Sequence, residues 1–506
     1  MRTMGIAGVA GLVVCVLALS APVHAQTSFG YTGLLENDIR FSLPGKNEPA
    51  GIPDVRFLRS DSTARYRGNF ISGTVRAVGD VAVVFSGIPQ AESIGDLTLR
   101  ENVDPFRFES DALFLEIDEF LVEGLSLKLG REILRWGTAF MFNPTNVVNA
   151  YDFEDPLKFG EVIATEMIVL SYAGPWSSYS DELDLTLFDE FTLTFVAVPV
   201  FRPAQLPESA LVAFTDPALF NQVVSSPTID KLLGLQQAFE SGGGKIAYDV
   251  ATGAPNLGIG NMALAGRMSW TMFGTDVSFS YYRGHDDTPR AETVGVSDLP
   301  IPVTNADLED IDGLLNTISA LDLEGVVAQT DVTLTWPRVH VFGADFATSL
   351  DGLGGIGLWG EFAWTMHDEL RRFIRIGDAQ VLEEEAAQGG FWKLTAGVDY
   401  SLTPWWYMNL QYLHGFVDEF GSGNLHDYLV GGSNFTFLSN TLTLRMFSIV
   451  QLQDMSTVIY PQVILQPWPN TELTAGAFVF VGDADSKFGS RITGPSTFFL
   501  KGRYNF

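Results

Sequence analysis

The sequence is short of several things at once, and each shortage removes a class of protein. It holds one cysteine, Cys15, in 506 residues. That residue lies in an apolar N-terminal stretch, so a chain without the stretch has no thiol at all. Disulfide frameworks, thiolate nucleophiles and cysteine-held metals are thereby excluded. Basic residues are scarce: 30 Lys and Arg face 61 Asp and Glu, a formal net charge of −31. So acidic a chain is a poor binder of nucleic acid. Charge of either sign is thin as well, at 18% of residues against 46% hydrophobic and 12% aromatic. Beyond the N-terminal stretch no apolar run reaches the roughly 18 residues that a membrane-spanning helix needs.

The N-terminus reads as a secretory leader. Arg2 is the only charge before Gln26, an apolar run covers Ile6 to Leu19, and Val23-His24-Ala25 supplies a cleavage point. Residues 1–25 are expected to be removed and 26–506 to form a single domain. Losing Arg2 leaves 29 bases against 61 acids, a charge of −32. Val13-Val14 before Cys15 does not fit a lipoprotein cleavage box.

What the chain has in place of long apolar runs is alternation. In 392–400, Trp392, Leu394, Ala396, Val398 and Tyr400 share one face, with Lys393 and Asp399 on the other. After Thr403-Pro404, Trp406, Met408, Leu410 and Tyr412 continue the apolar face. A tight turn would set Val398 by Met408 and Ala396 by Leu410, with Trp405 and Trp406 in an interfacial girdle. A second hairpin, 111–132, turns near Glu123-Gly124, and a three-residue loop would put Asp118 opposite Lys128. Arg131 then points toward lipid unless a bulge near Gly130 resets the phase.

About eighteen such segments start near residues 28, 63, 80, 110, 125, 164, 184, 257, 274, 338, 355, 391, 404, 427, 440, 455, 470 and 496. Sixteen is the alternative count, because the first and third are weakly patterned. The expected fold is all-β: a transmembrane antiparallel barrel with short turns at one end and long loops at the other. Two of the loops carry helical spacing, at Ile229, Leu232, Leu233, Gln236 and Phe239, and at Leu308, Ile311, Leu314, Leu315 and Ile318. The last stretch, Phe498 to Phe506, places Phe498, Leu500, Tyr504 and Phe506 outward and Lys501 and Arg503 inward. An alternating strand ending on an aromatic resembles the C-terminal signal read by the barrel-assembly machinery of Gram-negative bacteria. This strand would close the ring against the segment near 28–41, with Tyr504 and Phe506 in the girdle.

The distinctive interior stretch is Gly130-Arg131-Glu132, Arg135-Trp136-Gly137, Phe142-Asn143-Pro144-Thr145-Asn146 and Asn149-Ala150-Tyr151-Asp152. With weaker support from Phe342 to Phe346 and Gly360-Glu361, it resembles the alginate-export-type outer-membrane barrels and related porin-like families. The resemblance implies a barrel of about eighteen strands with an aqueous lumen, in the outer membrane. The chain departs from alginate exporters in its acidity, which opposes transport of a polyanion.

On this reading the loop after strand five folds inward, with Arg131, Glu132, Arg135, Asn143, Asn146 and Asp152 near a constriction. The alternative is that Arg131, Trp136 and Asp152 only tie it to the wall. Asp118, Lys128, Lys393, Asp399, Lys501 and Arg503 are the lumen charges, serving selectivity or simply pairing across the interior. The expected function is passive diffusion of small solutes with a cation preference. Rival readings are a non-conducting assembly or surface barrel and an uptake channel for hydrophobic compounds. None of His285, His340, His367, His414 and His426 sits in a nucleophile or metal motif, so neither an enzyme nor a metal or other cofactor is expected. Expected partners are outer-membrane lipid and lipopolysaccharide, the assembly machinery and small solutes. The acidic clusters Asp286-Asp287, Glu383 to Glu385 and Asp483-Ala484-Asp485 match no calcium-loop spacing.

Overall fold

A computed structural model describes residues 27–506 apart from 44–55, 208–233, 305–310 and the short stretches 92, 156–157, 159, 181–184, 235, 300, 369, 378, 388 and 491–492. The expected leader, residues 1–25, and Ile229, Leu232, Leu233 and Leu308 lie outside the described residues.

Twenty strands form one closed antiparallel sheet. The first part of the wall is β1 (Thr27–Ser42), β2 (Phe57–Ser72), β3 (Val75–Ser86), β4 (Phe106–Glu109), β5 (Leu113–Ile117), β6 (Leu125–Glu132), β7 (Thr165–Ala173), β8 (Ser178–Ser180) and β9 (Leu185–Val198). It continues through β11 (Ala263–Met272), β12 (Thr275–His285), β15 (Arg338–Leu350), β16 (Ile356–His367) and β19 (Phe391–Thr403). The rest is β20 (Trp406–His414), β21 (Asp427–Phe437), β22 (Leu442–Gln451), β23 (Thr457–Leu465), β24 (Thr471–Val481) and β25 (Thr497–Asn505). Because β4 and β5 both pair with β3, and β7 and β8 both with β9, the twenty strands fill eighteen wall positions. β25 closes the ring on β1, from Leu34 opposite Asn505 to Ser42 opposite Thr497. Closure leaves no unpaired strand edge, which is the condition for β structure in hydrocarbon.

Burial follows the pleat. On β16, Phe362, Trp364 and Met366 are 40%, 39% and 41% exposed, whereas Glu361 and Ala363, on the alternate positions, are each 2% exposed. The apolar face is therefore the outer one, and the inner face is covered by other parts of the chain. Short turns, such as Gly73-Thr74, Phe273-Gly274 and Pro404-Trp405, gather at the end that holds both Thr27 and Phe506; the long connections gather at the other.

Two registers differ from the sequence-based expectation. β5 ends at Ile117 and the turn runs over 118–124, with Glu119, Leu121 and Gly124 at positive φ. Glu116, not Asp118, therefore faces Lys128, and Asp118 is exposed in the turn. In β19–β20 a register shift at Ser401/Thr403 sets Val398 opposite Leu410 and Ala396 opposite Tyr412. Both offsets preserve the faces, because a shift of two residues leaves every side chain on its own side.

The long loops also build a second sheet that alternation did not reveal. It comprises β10 (Lys245–Gly253), β13 (Arg290–Ser297), β14 (Val327–Thr335), β17 (Leu370–Ile376) and β18 (Ala379–Ala387), in the order β10-β14-β13-β17-β18. The pairings β10–β14 and β13–β17 are parallel and join strands from different loops. Helix α1 (Ile311–Ser319) and helical turns at 236–241 cover it, burying Val294, Val332, Ile374, Ile318, Leu323 and Phe239. Leu314, Ile318 and Phe239, three residues of the two helical patterns, thus pack against a sheet. Three loops share this cap, which stands over the loop end of the barrel.

Candidate functional site

Residues 133–164, between β6 and β7, run through the barrel interior. The segment lacks strand patterning, so its backbone groups need other partners once buried. Asparagines supply several. The Asn149 Oδ1 accepts from the Leu134 N–H at 2.8 Å, and its Nδ2 donates to the carbonyls of Glu132 and Ile163. The Asn146 Oδ1 accepts from the Trp136 N–H at 3.2 Å.

The attachment to the far wall centres on one carboxylate. Glu361 of β16 accepts from the backbone N–H groups of Thr138 and Ala139, both at 2.5 Å, from Asn143 Nδ2 at 3.1 Å and from Thr145 Oγ1 at 2.9 Å. Gly137 makes this approach possible. Its φ is +99°, and a Cβ there would strike the Glu361 carboxylate. On β19, Thr395 Oγ1 donates to the Phe142 carbonyl at 2.9 Å.

Apolar contacts extend the attachment to both sides. Trp136 and Val148 pack with Val169, Val196, Val339 and Val341, all inward residues of β7, β9 and β15. Phe142 packs on the opposite side with Leu413, Val430, Phe447, Ile449 and Phe478 of β20 to β24. Farther on, Asp155 accepts from Arg40 of β1 at 2.5 and 2.7 Å and lies 3.1 Å from Arg59 of β2. Contacts on walls this far apart mean that the segment crosses the lumen.

The six residues singled out in this region separate into distinct places. Asn143 binds the Glu361 latch and Asn146 braces the segment itself. Glu132 is buried and takes a hydrogen bond from Lys128 Nζ at 2.9 Å. Asp152 accepts from the Glu154 N–H and bridges to Gln205. Arg135 is exposed and makes no ion pair among the described residues. Arg131 is not with the others. The β5–β6–β7 register runs through Gly130 without a bulge, so Arg131 shares the outer face with Leu113 and Leu129. There its Nη1 meets Glu166 at 2.9 Å, beside Arg202.

The inner wall is charged chiefly on β25 and β1 to β6, and those charges are mostly paired. Lys501 lies 3.6 Å from Glu36 and 3.7 Å from Asp38, and Arg503 meets Glu36 at 2.6 Å. Lys128 lies 3.7 Å from Glu116, and Arg65 pairs with Asp80 and Asp111. Arg267 and Ser278 hold Asp345 on the other side. Lys393 donates to the carbonyls of Phe416 and Val417 at 2.7 and 3.2 Å. Asp399 lies across from Asn409 near the turn end. At that end Trp405 and Trp406 stack at 6.2 Å, as do Tyr504 and Phe506.

In the sequence Glu361 serves, with Gly360, only as support for the resemblance and is not among the expected site residues. A signal was present: it is the only Asp, Glu, Lys or Arg in β16, and the pleat puts it on the inner face. The carboxyl set at the loop end is equally nonlocal. Asp287, after β12, accepts from the Tyr151 N–H at 2.7 Å, and burial together with Asp286 pushes its carboxyl up to about 6.

Between the segment and the β9-to-β19 wall lies a cavity of about 100 Å³. Its walls include Val148, Val198, Val339, Val341 and Phe391, with Arg202, His285, Asp286, Asp287 and Lys393 among the polar groups.

No family model and no curated protein matches the sequence. Among solved structures, a mutant porin of Rh. blastica aligns over 95% of this chain and 100% of its own, with 8% identity and a TM-score of 0.37. A loop-deletion mutant of OmpT, an outer membrane protein of Vibrio cholerae, aligns over 95% and 99%, with 10% identity and a TM-score of 0.36. Salmonella typhi OmpF in complex with daunomycin aligns over 94% and 97%, with 9% identity and a TM-score of 0.36. At these values the likenesses add nothing to the barrel that the strand pairing already shows.

Proposed function

We propose that the chain is an outer-membrane channel for passive diffusion of small solutes, narrowed by the 133–164 segment and preferring cations. The observation that carries this reading is the segment's attachment to opposing walls, through Glu361 on one and Arg40 on another. The outward apolar band suits lipid on all sides. In this orientation the turn end faces the periplasm, the cap sheet stands outside, and the Trp405, Trp406, Tyr504 and Phe506 rings lie at the inner interface. The outer face meets lipid and lipopolysaccharide, and β25 presents the end that the assembly machinery would read. Cation preference follows from 61 acids against 30 bases.

Planar-bilayer recording tests each part. Deleting residues 138–158 should raise single-channel conductance, and an unchanged conductance in a folded barrel would sink the narrowing. Reversal potentials in a salt gradient should show cation preference; clear anion selectivity would overturn it. Absence of any current would favour a non-conducting surface barrel. A second reading, uptake of hydrophobic compounds, draws on the inward valines of β7, β9 and β15, which are unusual in a lumen meant only for hydrated ions.

A further inference from the structure

We propose that the cavity beside the inward segment is a binding site for a small, neutral, apolar molecule carrying one hydroxyl group, of the size and chemistry of a phenol. Its apolar side is set by Val198, Val339, Val341 and Phe391, which point inward from β9, β15 and β19. At about 100 Å³ it is of the order of the roughly 150 Å³ that accommodates a benzene ring. A hydrated ion would gain nothing from such a wall, whereas an aromatic or alicyclic body would be freed from water there.

The polar side specifies the head group. His285 Nδ1 lies 2.9 Å from the Trp336 carbonyl, which can only accept, so Nδ1 carries the proton. In the neutral ring Nε2 is then an acceptor, and it is buried with no hydrogen-bond partner among the described residues. Arg202 Nε, a donor, is likewise buried and has no partner among the described residues, although Nη2 of the same side chain pairs with Glu166. Lys393 has three donors and spends two of them on the carbonyls of Phe416 and Val417. Residues carrying unused donors and an unused acceptor therefore line one cavity, and a hydroxyl is the smallest group that both accepts and donates.

Charge balance argues for neutrality. Arg202 already pairs with Glu166 and Arg290 with Asp286, and both Asp286 and Asp287 are engaged by further donors. Asp287 accepts from the Tyr151 N–H and Thr288 Oγ1, and Asp286 from the Thr288 N–H and Arg290 Nη2. A carboxylate or ammonium ligand would bring an unmatched charge into a space with one apolar wall, at a desolvation cost that a hydroxyl does not incur. That this ligand is cargo rests on the channel reading; that it binds does not.

The test is fluorine NMR of para-fluorophenol added to the whole barrel in lipid nanodiscs, with empty nanodiscs as the partition control. Saturable binding is expected, about tenfold tighter than for fluorotoluene, the effect of one buried hydrogen bond. Fluorobenzoate and fluorobenzylamine should bind more weakly than the phenol. Val341→Phe, which fills the cavity, should abolish the bound signal, and His285→Leu should weaken it about tenfold. The heat-modifiable gel shift of a folded barrel checks both variants. The comparison of the four probes on the unaltered chain needs no variant. Uptake no greater than by empty nanodiscs, equal binding by folded Val341→Phe, or tighter binding of toluene, benzoate or benzylamine would each overturn the site. A barrel that binds but carries no current removes the channel reading alone; one that conducts but does not bind removes the site alone.

Discussion

Glu361→Ala should release the inward segment while leaving the barrel closed. The carboxylate receives four hydrogen bonds from residues 138–145, two of them from backbone N–H groups. Each stranded backbone N–H costs about 1–3 kcal/mol when buried. Two effects offset part of that loss. Water can enter the vacated space, and removing a carboxylate that is 2% exposed, with no cation in ion-pair distance among the described residues, relieves its desolvation. The net weakening of docking is about 2 kcal/mol, roughly a thirtyfold rise in the undocked fraction. Because residues 26–506 contain no cysteine, Ala150→Cys would be the sole thiol of that stretch, and Ala150 is only 5% exposed. Its maleimide labelling should accelerate about thirtyfold in Glu361→Ala, with a parallel rise in conductance. Glu361→Gln keeps one acceptor oxygen and should fall between. Unchanged labelling and conductance in a folded Glu361→Ala barrel would refute the latch.

Gly137→Ala should reproduce that phenotype, since the added Cβ meets Glu361 at a φ of +99°, with strain of about 1–3 kcal/mol; conductance reads it. A second latch, outside the membrane, should respond to pH. Burial alone would raise the Glu419 carboxyl, but the His426 hydrogen bond and the Lys487 charge outweigh it and bring it down to about 2. His426 is raised by its hydrogen bond to Glu419. The lowered acid stabilises above its unfolded value and loses that effect as pH falls. The raised His stabilises fully below its own unfolded value and loses that effect as pH rises. Protection of the 415–426 loop from hydrogen exchange should therefore peak between about pH 4.5 and 6.5, and His426→Leu should flatten the alkaline side. Finally, Ile374→Ala should cost the cap about 2–5 kcal/mol and expose 290–335 and 370–387 to protease, while the heat-modifiable shift of the barrel persists.

Much of this molecule was readable from two residues of context at a time. A period of two assigns faces without any knowledge of partners, so 392–400, 406–412 and 498–506 show their lipid and lumen sides directly. The strand starts at 125, 338, 391 and 427 coincide with the observed ones for the same reason. Pairing was harder, because register depends on turn geometry. The seven-residue turn at 118–124 exchanged Asp118 for Glu116 as the neighbour of Lys128.

The cap was hidden by distance along the chain. β10 pairs with β14, and β13 with β17, across separations of about eighty residues, and no local pattern encodes a parallel pairing of that span. Arg131 looked like part of the inward motif because it adjoins Glu132 in sequence. The pleat turned the two to opposite sides of the wall.

By itself the sequence determined the class of fold, the faces of most strands and the length of the one segment that could not be a strand. Those properties follow from local alternation, which the hydrophobic effect reads residue by residue. Only the tertiary structure decided where that segment docks and what lies beside it. Glu361, Arg40 and the inward valines come from strands hundreds of residues apart, and they become one site only when the ring closes.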